Sequence, residues 1–300
     1  MRRPLRRTLL ALATTLLAAT AATTTATPSQ AATTTAATPT LTTNSGFNDW
    51  SCRPSPAHPE PVLLLHGLGG NGPGNMAFLG PALAAAGYCA YAPTYGEPLP
   101  GLPVGGLKAV DDSAHEIAGT IDRILATTGA TRLDLVGHSE GAFESLYLPK
   151  ALPGYAAKTA KVVAIAPPTH GTTFANLITL AETLGIRPAV DTVLATAGCV
   201  ACTELTTGGP AVARLNDGPI TRPGIDYTVV ASTADALVTP YGTEYVAEPG
   251  VTNESVQQYC PLDPVGHIGL AYDGDVAQLV LNALDPAHPG PVLCTLGPLF

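Results

Sequence analysis

Short, wholly apolar runs alternate with amphipathic segments along the chain from residue 61 onward. An apolar run without any polar residue is typical of a strand that is buried on both faces of a sheet. Such runs, separated by helical segments, predict an α/β fold with a mostly parallel sheet and helices on both faces. The predicted strands are Val62–Leu65, Tyr88–Ala92, Leu133–Val136, Val162–Ala166 and Tyr227–Ala231. The predicted helices are Asn75–Ala86, Val110–Thr128, Glu140–Leu152 and Asp275–Leu284.

The composition is that of a folded domain and excludes several other classes of protein. Hydrophobic residues make up 46% of the 300-residue chain, which is too high for a disordered protein. The 31 glycines and 29 prolines exclude a coiled coil or a bundle of long helices, because both residues interrupt helices. The formal net charge of -9 argues against nucleic acid as a partner.

The N-terminal region predicts export. Four arginines precede an apolar stretch that starts at Thr8, and small residues follow it, which is the layout of a signal peptide over residues 1–31. The apolar stretch is too short and too rich in threonine for a transmembrane anchor, so no such anchor is predicted. Residues 32–43 are almost wholly Ala, Thr and Pro and predict a linker. Residues 44–300 are then expected to form a single folded domain.

A glycine-flanked serine lies between a predicted strand and a predicted helix. The pentapeptide Gly137-His138-Ser139-Glu140-Gly141 has the G-x-S-x-G pattern of a nucleophile elbow. The serine must occupy a tight turn so that its hydroxyl projects beyond the sheet, and the glycines leave room for neighbouring backbone. The N-terminus of the following helix favours developing negative charge. Ser139 is therefore the predicted nucleophile.

A serine nucleophile needs a base that accepts its proton and an acid that orients the base. In proteins with this elbow, the acid and then the histidine follow the serine along the chain. Asp235 comes after the carboxyl end of the strand Tyr227–Ala231, whereas Asp226 lies at its opposite end, so Asp235 is the predicted acid. His267 follows it and precedes the last helix, which makes it the predicted base. The other carboxylates near His267 are interpreted as helix caps or surface groups: Asp263, Asp273 and Asp275.

Two backbone N–H groups are predicted to bind the oxyanion of the reaction. One belongs to Glu140, the residue after the nucleophile, whose side chain is expected to point away. The other comes from the glycine-rich loop His66–Gly70, where Leu68 is the first choice and Gly67 the alternative. This loop matches neither of the glycine patterns that bind phosphate.

Six cysteines favour an oxidising compartment and disulfide bonds, but their number alone leaves the pairing open. They are Cys52, Cys89, Cys199, Cys202, Cys260 and Cys294. Cys199 and Cys202 form a C-x-x-C pair, which is interpreted as a local structural disulfide. A redox-active pair or half of a zinc site is the alternative, although the chain has no second C-x-x-C and no histidine at ligand spacing.

Together these residues resemble the secreted actinobacterial lipases and esterases of the α/β-hydrolase fold. The likeness covers about residues 47–294 and is carried by Val62–Gly70, Gly137–Gly141, Ala166–Thr172 and Ser232–Pro240. The resemblance implies the α/β-hydrolase fold and a triad of Ser139, Asp235 and His267. It also implies hydrolysis of carboxylic esters without a metal or another cofactor.

The cysteine layout resembles that of lipases of the Candida antarctica lipase B type. That resemblance implies the pairs Cys52–Cys89 and Cys260–Cys294, and it leaves Cys199–Cys202 as a third pair that those lipases do not share. The oxyanion hole departs from their pattern, because they use threonine and glutamine where this chain has Leu68 and Glu140.

The resemblance implies a secreted, extracellular serine ester hydrolase that forms an acyl-enzyme, with a triacylglycerol lipase as the first choice. A short-chain carboxylesterase or a cutinase-like polyester hydrolase is the alternative; a peptidase and a non-enzymatic binding module are less favoured. The expected partners are a lipid or ester substrate and, transiently, a lipid interface, for a monomeric protein. Residues 170–224 predict a cap-like excursion with an apolar helical face that either lines the acyl pocket or packs on the sheet. That face consists of Leu177, Ile178, Ala181 and Leu184.

Overall fold

The computed structural model describes residues 47–299, so the predicted signal peptide and linker lie outside the described residues. Within this range six strands form one sheet, in the order β2-β1-β3-β4-β5-β6, and every neighbouring pair is parallel. The strands are β1 Val62–Leu65, β2 Ala90–Tyr91, β3 Leu133–His138, β4 Thr159–Ile165, β5 Asp226–Ala231 and β6 Val251–Ser255. The predicted parallel sheet is confirmed.

Helices fill most of the segments between the strands. They are α1 Gly72–Asn75, α2 Leu79–Ala85, α3 Val110–Thr128, α4 Glu140–Ala151, α5 Tyr155–Lys158, α6 Leu177–Thr183, α7 Arg187–Thr196, α8 Ala201–Glu204, α9 Pro210–Leu215, α10 Val256–Tyr259 and α11 Gly274–Leu284, with a 3₁₀ turn at Gly269–Tyr272. Within residues 47–299, none of these helices combines the length and the apolar character that a membrane span requires.

The apolar strands bury side chains on both faces of the sheet, because successive residues of a strand point to opposite sides. On one face Leu63 packs in a cluster with Ile117 of α3 and Phe143 of α4. On the other face Leu64 packs in a second cluster that includes Leu279 of α11. The predicted two-sided covering of the sheet is therefore confirmed.

Two parts of the predicted secondary structure are wrong. The segment predicted as one helix over Asn75–Ala86 forms two helices, because Asn71 caps α1 earlier by accepting a hydrogen bond from the Gly74 N–H. The strand β6 was not predicted. It lies at the edge of the sheet and is mostly half-exposed, so its sequence Val-Thr-Asn-Glu-Ser lacks the apolar run of the inner strands.

Candidate active site

Ser139 occupies the turn between β3 and α4. Its backbone has φ 58° and ψ -119°, a conformation that is uncommon for a residue with a side chain. Its N–H donates a 2.8 Å hydrogen bond to the Ile165 carbonyl at the end of β4, which ties the turn to the sheet. The strained turn thus presents the serine at the carboxyl edge of the sheet.

The two glycines of the pentapeptide are required by close backbone contacts. A Cβ at Gly137 would lie 2.1 Å from the Gly141 carbonyl oxygen, and one at Gly141 would lie 2.3 Å from the Leu65 carbonyl oxygen. Both obstacles are main-chain atoms that no rotamer change can remove. The predicted reason for glycine at these positions therefore holds in the structure.

A line of hydrogen bonds joins the three residues of the predicted triad. His267 Nε2 lies 2.7 Å from Ser139 Oγ, and His267 Nδ1 lies 2.5 Å from Asp235 Oδ2. Asp235 Oδ1 accepts hydrogen bonds from the N–H groups of Leu237 and Val238, which fixes the carboxylate. Asp235 and His267 are both buried. This geometry allows the imidazole to take a proton from Ser139 while the carboxylate holds the ring.

Asp226 stands away from this arrangement, as the position of β5 predicts. It is the first residue of the strand and is exposed, whereas Asp235 follows the carboxyl end of the same strand. Of the two aspartates, the structure places Asp235 against His267, and its role as the catalytic acid stays a prediction.

His138 supports the base, which sequence reasoning did not anticipate. Its Nε2–H donates a 2.8 Å hydrogen bond to the carbonyl oxygen of His267, and the two rings lie 5.1 Å apart between centroids. Burial lowers the pKa of His138 to about 3, so the ring is neutral and donates through one nitrogen only. The residue before the nucleophile therefore positions the backbone of the base.

The N–H groups of Leu68 and Glu140 are the two predicted oxyanion donors. Among the described residues neither N–H has a hydrogen-bond partner, and both residues border the same cavity as Ser139. The Gly67 N–H, the alternative donor, already donates a 2.8 Å hydrogen bond to Asn75 Oδ1. The geometry therefore favours Leu68 over Gly67.

His66 and Tyr95 hold the loop that carries Leu68. Burial lowers the pKa of His66 to about 4, so the neutral ring donates from Nδ1 to the Gly67 carbonyl and accepts at Nε2 from the Tyr95 N–H. The Tyr95 hydroxyl donates a 2.7 Å hydrogen bond to the His66 carbonyl. No sequence motif identifies either residue, because both act through tertiary contacts.

The Glu140 side chain is buried and contacts Tyr95. Its Oε2 lies 2.5 Å from the Tyr95 hydroxyl, which has a single proton and already faces the His66 carbonyl. Two acceptors cannot share one proton at these distances, so a protonated Glu140 donates to Tyr95, and Tyr95 donates to His66. Burial likewise raises the pKa of Glu140 to about 8.

Glu144, one helical turn further along α4, is a second buried carboxyl group. It is 0% exposed, and neither of its carboxyl oxygens has a partner in the described part of the chain. Burial and the neighbouring Glu140 raise its pKa well above the ordinary value. Burial therefore favours the neutral form of both carboxyl groups.

The contribution of Glu140 to stability is expected to fall as the pH rises from about 4.5 to about 8. In this window folded Glu140 keeps a proton that the unfolded chain releases, so the free energy of unfolding decreases by up to about 1.4 kcal/mol per pH unit. Glu140→Gln removes this contribution, because glutamine titrates in neither state, while the contribution of the buried Glu144 remains. Urea unfolding at several pH values checks the slope, with the partly exposed Glu60→Gln as control. An unchanged slope in Glu140→Gln would mean that Glu140 is ionised when folded.

A cavity of about 420 Å³ opens beside Ser139 and His267. Its size is that of a small-molecule pocket. Apolar side chains form much of its wall: Leu68, Phe174, Leu205, Leu237, Val238 and Ile268. An uncharged, apolar acyl group suits this wall better than a charged ligand does.

The predicted apolar face of the 170–224 segment does not line this cavity. Ile178 and Ala181 are buried elsewhere, whereas Leu177 and Leu184 are 65% and 61% exposed. The expectation that these four residues act as one face is therefore wrong, because Leu177 at the start of α6 and Leu184 just after it face the solvent. Phe174, just before α6, contributes to the wall instead.

Three disulfides are present, with the pairing that the resemblance implies: Cys52–Cys89, Cys199–Cys202 and Cys260–Cys294. The first joins the segment before β1 to the residue just before β2. The last joins the end of α10, seven residues before His267, to the C-terminal segment. Cys199–Cys202 joins a residue just before α8 to the second residue of that helix, so the interpretation as a local disulfide agrees with the structure.

Comparison with known proteins finds similar structures but no similar sequence. No protein-family model matches the chain, and no curated protein matches its sequence. The structure is similar to that of Aspergillus fumigatus lipase B, with a TM-score of 0.59 and 19% identity, over 78% of this chain and 54% of that one. The chain thus spans about half the length of that lipase.

Two bacterial or metagenomic structures are matched over more of their length. A serine hydrolase from the polyaromatic-hydrocarbon-degrading bacterium Cycloclasticus zankles gives a TM-score of 0.51 at 17% identity, over 77% of this chain and 92% of that one. A structure of the metagenome-derived lipolytic enzymes LipS and LipT gives 0.50 at 14% identity, over 76% and 94%. These similarities, the all-parallel sheet and the serine turn after β3 identify the chain as a protein of the α/β-hydrolase fold.

Proposed function

We propose that the protein is a secreted serine hydrolase of carboxylic esters and acts as a triacylglycerol lipase. The observation that carries this proposal is the hydrogen-bonded line from Asp235 through His267 to Ser139, at the edge of an apolar cavity. Two unpartnered N–H groups beside the serine, those of Leu68 and Glu140, support acyl transfer. Three disulfides are compatible with an extracellular location.

Acylation begins when Ser139 Oγ attacks the ester carbonyl carbon while His267 Nε2 accepts the hydroxyl proton. Asp235 holds the ring through Nδ1–H and stabilises the imidazolium. The N–H groups of Leu68 and Glu140 donate to the oxyanion, and each such donor contributes about 3–4 kcal/mol of transition-state stabilisation. His267 then gives the proton to the departing alcohol.

Deacylation repeats these steps with water as the nucleophile. His267 takes a proton from the water as the water oxygen attacks the acyl-enzyme carbonyl. The bond to Ser139 Oγ then breaks, and His267 returns the proton to that oxygen. The apolar cavity holds the acyl chain through both steps.

Rates on esters of different acyl-chain length test the proposed substrate class. We would measure initial rates on p-nitrophenyl esters of increasing acyl length and on emulsified triglyceride. A triacylglycerol lipase hydrolyses the long-chain esters and the emulsion. Activity confined to short, soluble esters would instead identify a short-chain carboxylesterase, and activity on polyester film a cutinase-like enzyme.

Exposed leucines on α6 and just after it are proposed to contact the lipid interface. Leu177, Leu180 and Leu184 are each more than half exposed, and burial of a leucine side chain in an apolar phase stabilises contact by about 1.5–3 kcal/mol. Their position beside Phe174, which lines the cavity, puts this apolar surface next to the site.

Replacing Leu177 and Leu184 by serine is expected to lower the rate on emulsified triglyceride about tenfold. The rate on soluble p-nitrophenyl butyrate should change less than about twofold, because exposed residues contribute little to the fold. The matched control replaces Leu296 and Leu299, which are 75% and 66% exposed in the C-terminal segment. Equal losses on both substrates, or equal losses in the control, would contradict the interfacial role.

A further inference from the structure

Three aspartates near His267 form a buried cluster. Asp263, Asp273 and Asp275 are only 4%, 2% and 2% exposed, and one carboxylate oxygen of each lies within 4.8 Å of the others. The sequence interpretation as helix caps or surface groups is correct only in part. Asp273 does cap α11, but none of the three is at the surface.

The hydrogen bonds of the cluster use one oxygen of each carboxylate and leave the other free. Each Oδ1 accepts two backbone N–H groups, whereas each Oδ2 is buried and has no partner within residues 47–299. The N–H donors are Val265 and Gly297 for Asp263, Asp275 and Val276 for Asp273, and Leu293 and Cys294 for Asp275. The same pattern in three side chains indicates that the backbone orients the carboxylates.

Three negative carboxylates buried together destabilise the fold unless a positive charge neutralises them. Among the ion pairs of the described residues, none joins a lysine, arginine or histidine to these three aspartates. Like charges in a buried region repel each other and lose hydration. A divalent cation would neutralise most of the charge and satisfy all three free oxygens at once.

The donor set favours calcium over other metals. All three donors are carboxylate oxygens, which suit Ca²⁺, whereas structural zinc sites are built from cysteine sulfur and histidine nitrogen. Oxygens bound to Ca²⁺ at about 2.3–2.6 Å lie at most about 4.6–5.2 Å apart, which accommodates the spacing of the cluster. Mg²⁺ instead keeps several water ligands and is seldom held by a cage of protein carboxylates. We propose that Asp263, Asp273 and Asp275 bind a calcium ion through their Oδ2 atoms.

The proposed ion would join three segments around the base. Asp263 lies four residues before His267, Asp273 and Asp275 begin α11, and the donors Leu293, Cys294 and Gly297 belong to the C-terminal segment. The Gly266 N–H also donates to the Pro298 carbonyl in that segment. Calcium would therefore stabilise the loop that carries His267 by linking it to α11 and to the C-terminal segment.

Calcium binding can be measured directly on the full protein. After treatment with EDTA and dialysis at pH 7.5, we would titrate CaCl2 and count bound calcium by equilibrium dialysis and elemental analysis. We expect about one ion per chain and a Tm higher by about 5 °C or more at saturating calcium, with a weaker response to MgCl2. No bound calcium together with an unchanged Tm would overturn the proposal and mean that the carboxyls share protons instead.

Asparagine variants test the ligand set with little change of shape. Asp263→Asn, Asp273→Asn and Asp275→Asn keep an Oδ1 that accepts the backbone N–H groups and replace the free oxygen with an amide nitrogen. Each should weaken calcium binding at least about tenfold, while the exposed Asp217→Asn keeps the affinity of the unchanged protein. Undiminished affinity in all three variants would overturn the assignment. Should a variant fail to fold, the titration of the unchanged protein decides, and since no substrate is used, the result is separate from the proposed ester hydrolysis.

Discussion

Ser139→Ala is expected to lower kcat on p-nitrophenyl esters about 10⁶-fold, because no other group in the cavity takes over the attack on the ester carbonyl. KM should change little, since the hydroxyl contributes little to ground-state binding. Initial rates with substrate in excess check both values. Labelling by a fluorophosphonate should disappear in the same variant.

The matched control for this variant is Ser145→Ala in α4, the helix that follows Ser139. Ser145 is buried and donates to the Gly141 carbonyl, so its loss tests a small change in α4 without touching the predicted nucleophile. We expect activity within severalfold of the unchanged protein. If the Ser139→Ala protein hydrolysed esters at the original rate, Ser139 would not be the nucleophile and the proposed function would be refuted.

Asp235→Asn is expected to lower kcat about 10⁴-fold while leaving the fold intact. The amide can present an N–H to His267 Nδ1, which favours the tautomer with its proton on Nε2, and that nitrogen then cannot accept a proton from Ser139. The Oδ1 contacts to Leu237 and Val238 remain available to the asparagine. The pH dependence of kcat, together with the Tm, separates a tautomer effect from unfolding.

Asp226→Asn is the control at the opposite end of β5. That residue is exposed and lies at the start of the strand, so its substitution should leave kcat within about twofold. Comparable losses in the two variants would mean that charge near the strand, rather than contact with His267, explains the effect.

The sequence predicted the elements whose signals are local. Both faces of the sheet are covered, so β1, β3, β4 and β5 appear in the sequence as apolar runs. The helix α3 is recognisable from its apolar periodicity. The same logic located Ser139 between β3 and α4, and selected Asp235 over Asp226 from strand direction alone. In the structure these residues meet His267, as their order along the chain predicts.

The features that sequence reasoning missed depend on contacts between distant segments. The edge strand β6 has no apolar run, and no local pattern shows that Glu140 and Glu144 are buried or that Glu140 contacts the distant Tyr95. The three buried aspartates looked like caps because a cap and a metal ligand share the same residue type. Their contacts with the C-terminal segment, from Leu293 to Asp275 and from Gly297 to Asp263, depend on tertiary structure.

The all-parallel strand order has a consequence for how the protein acquires activity. No described strand pair is joined by a tight hairpin, because all neighbouring strands are parallel. Each strand pair therefore forms only when a long crossover segment is closed, and the loss of loop entropy slows that step. Ser139 and His267 are 128 residues apart in sequence and meet only through the assembled sheet. Recovery of ester hydrolysis during refolding should therefore be a late signal that follows the return of helical circular dichroism.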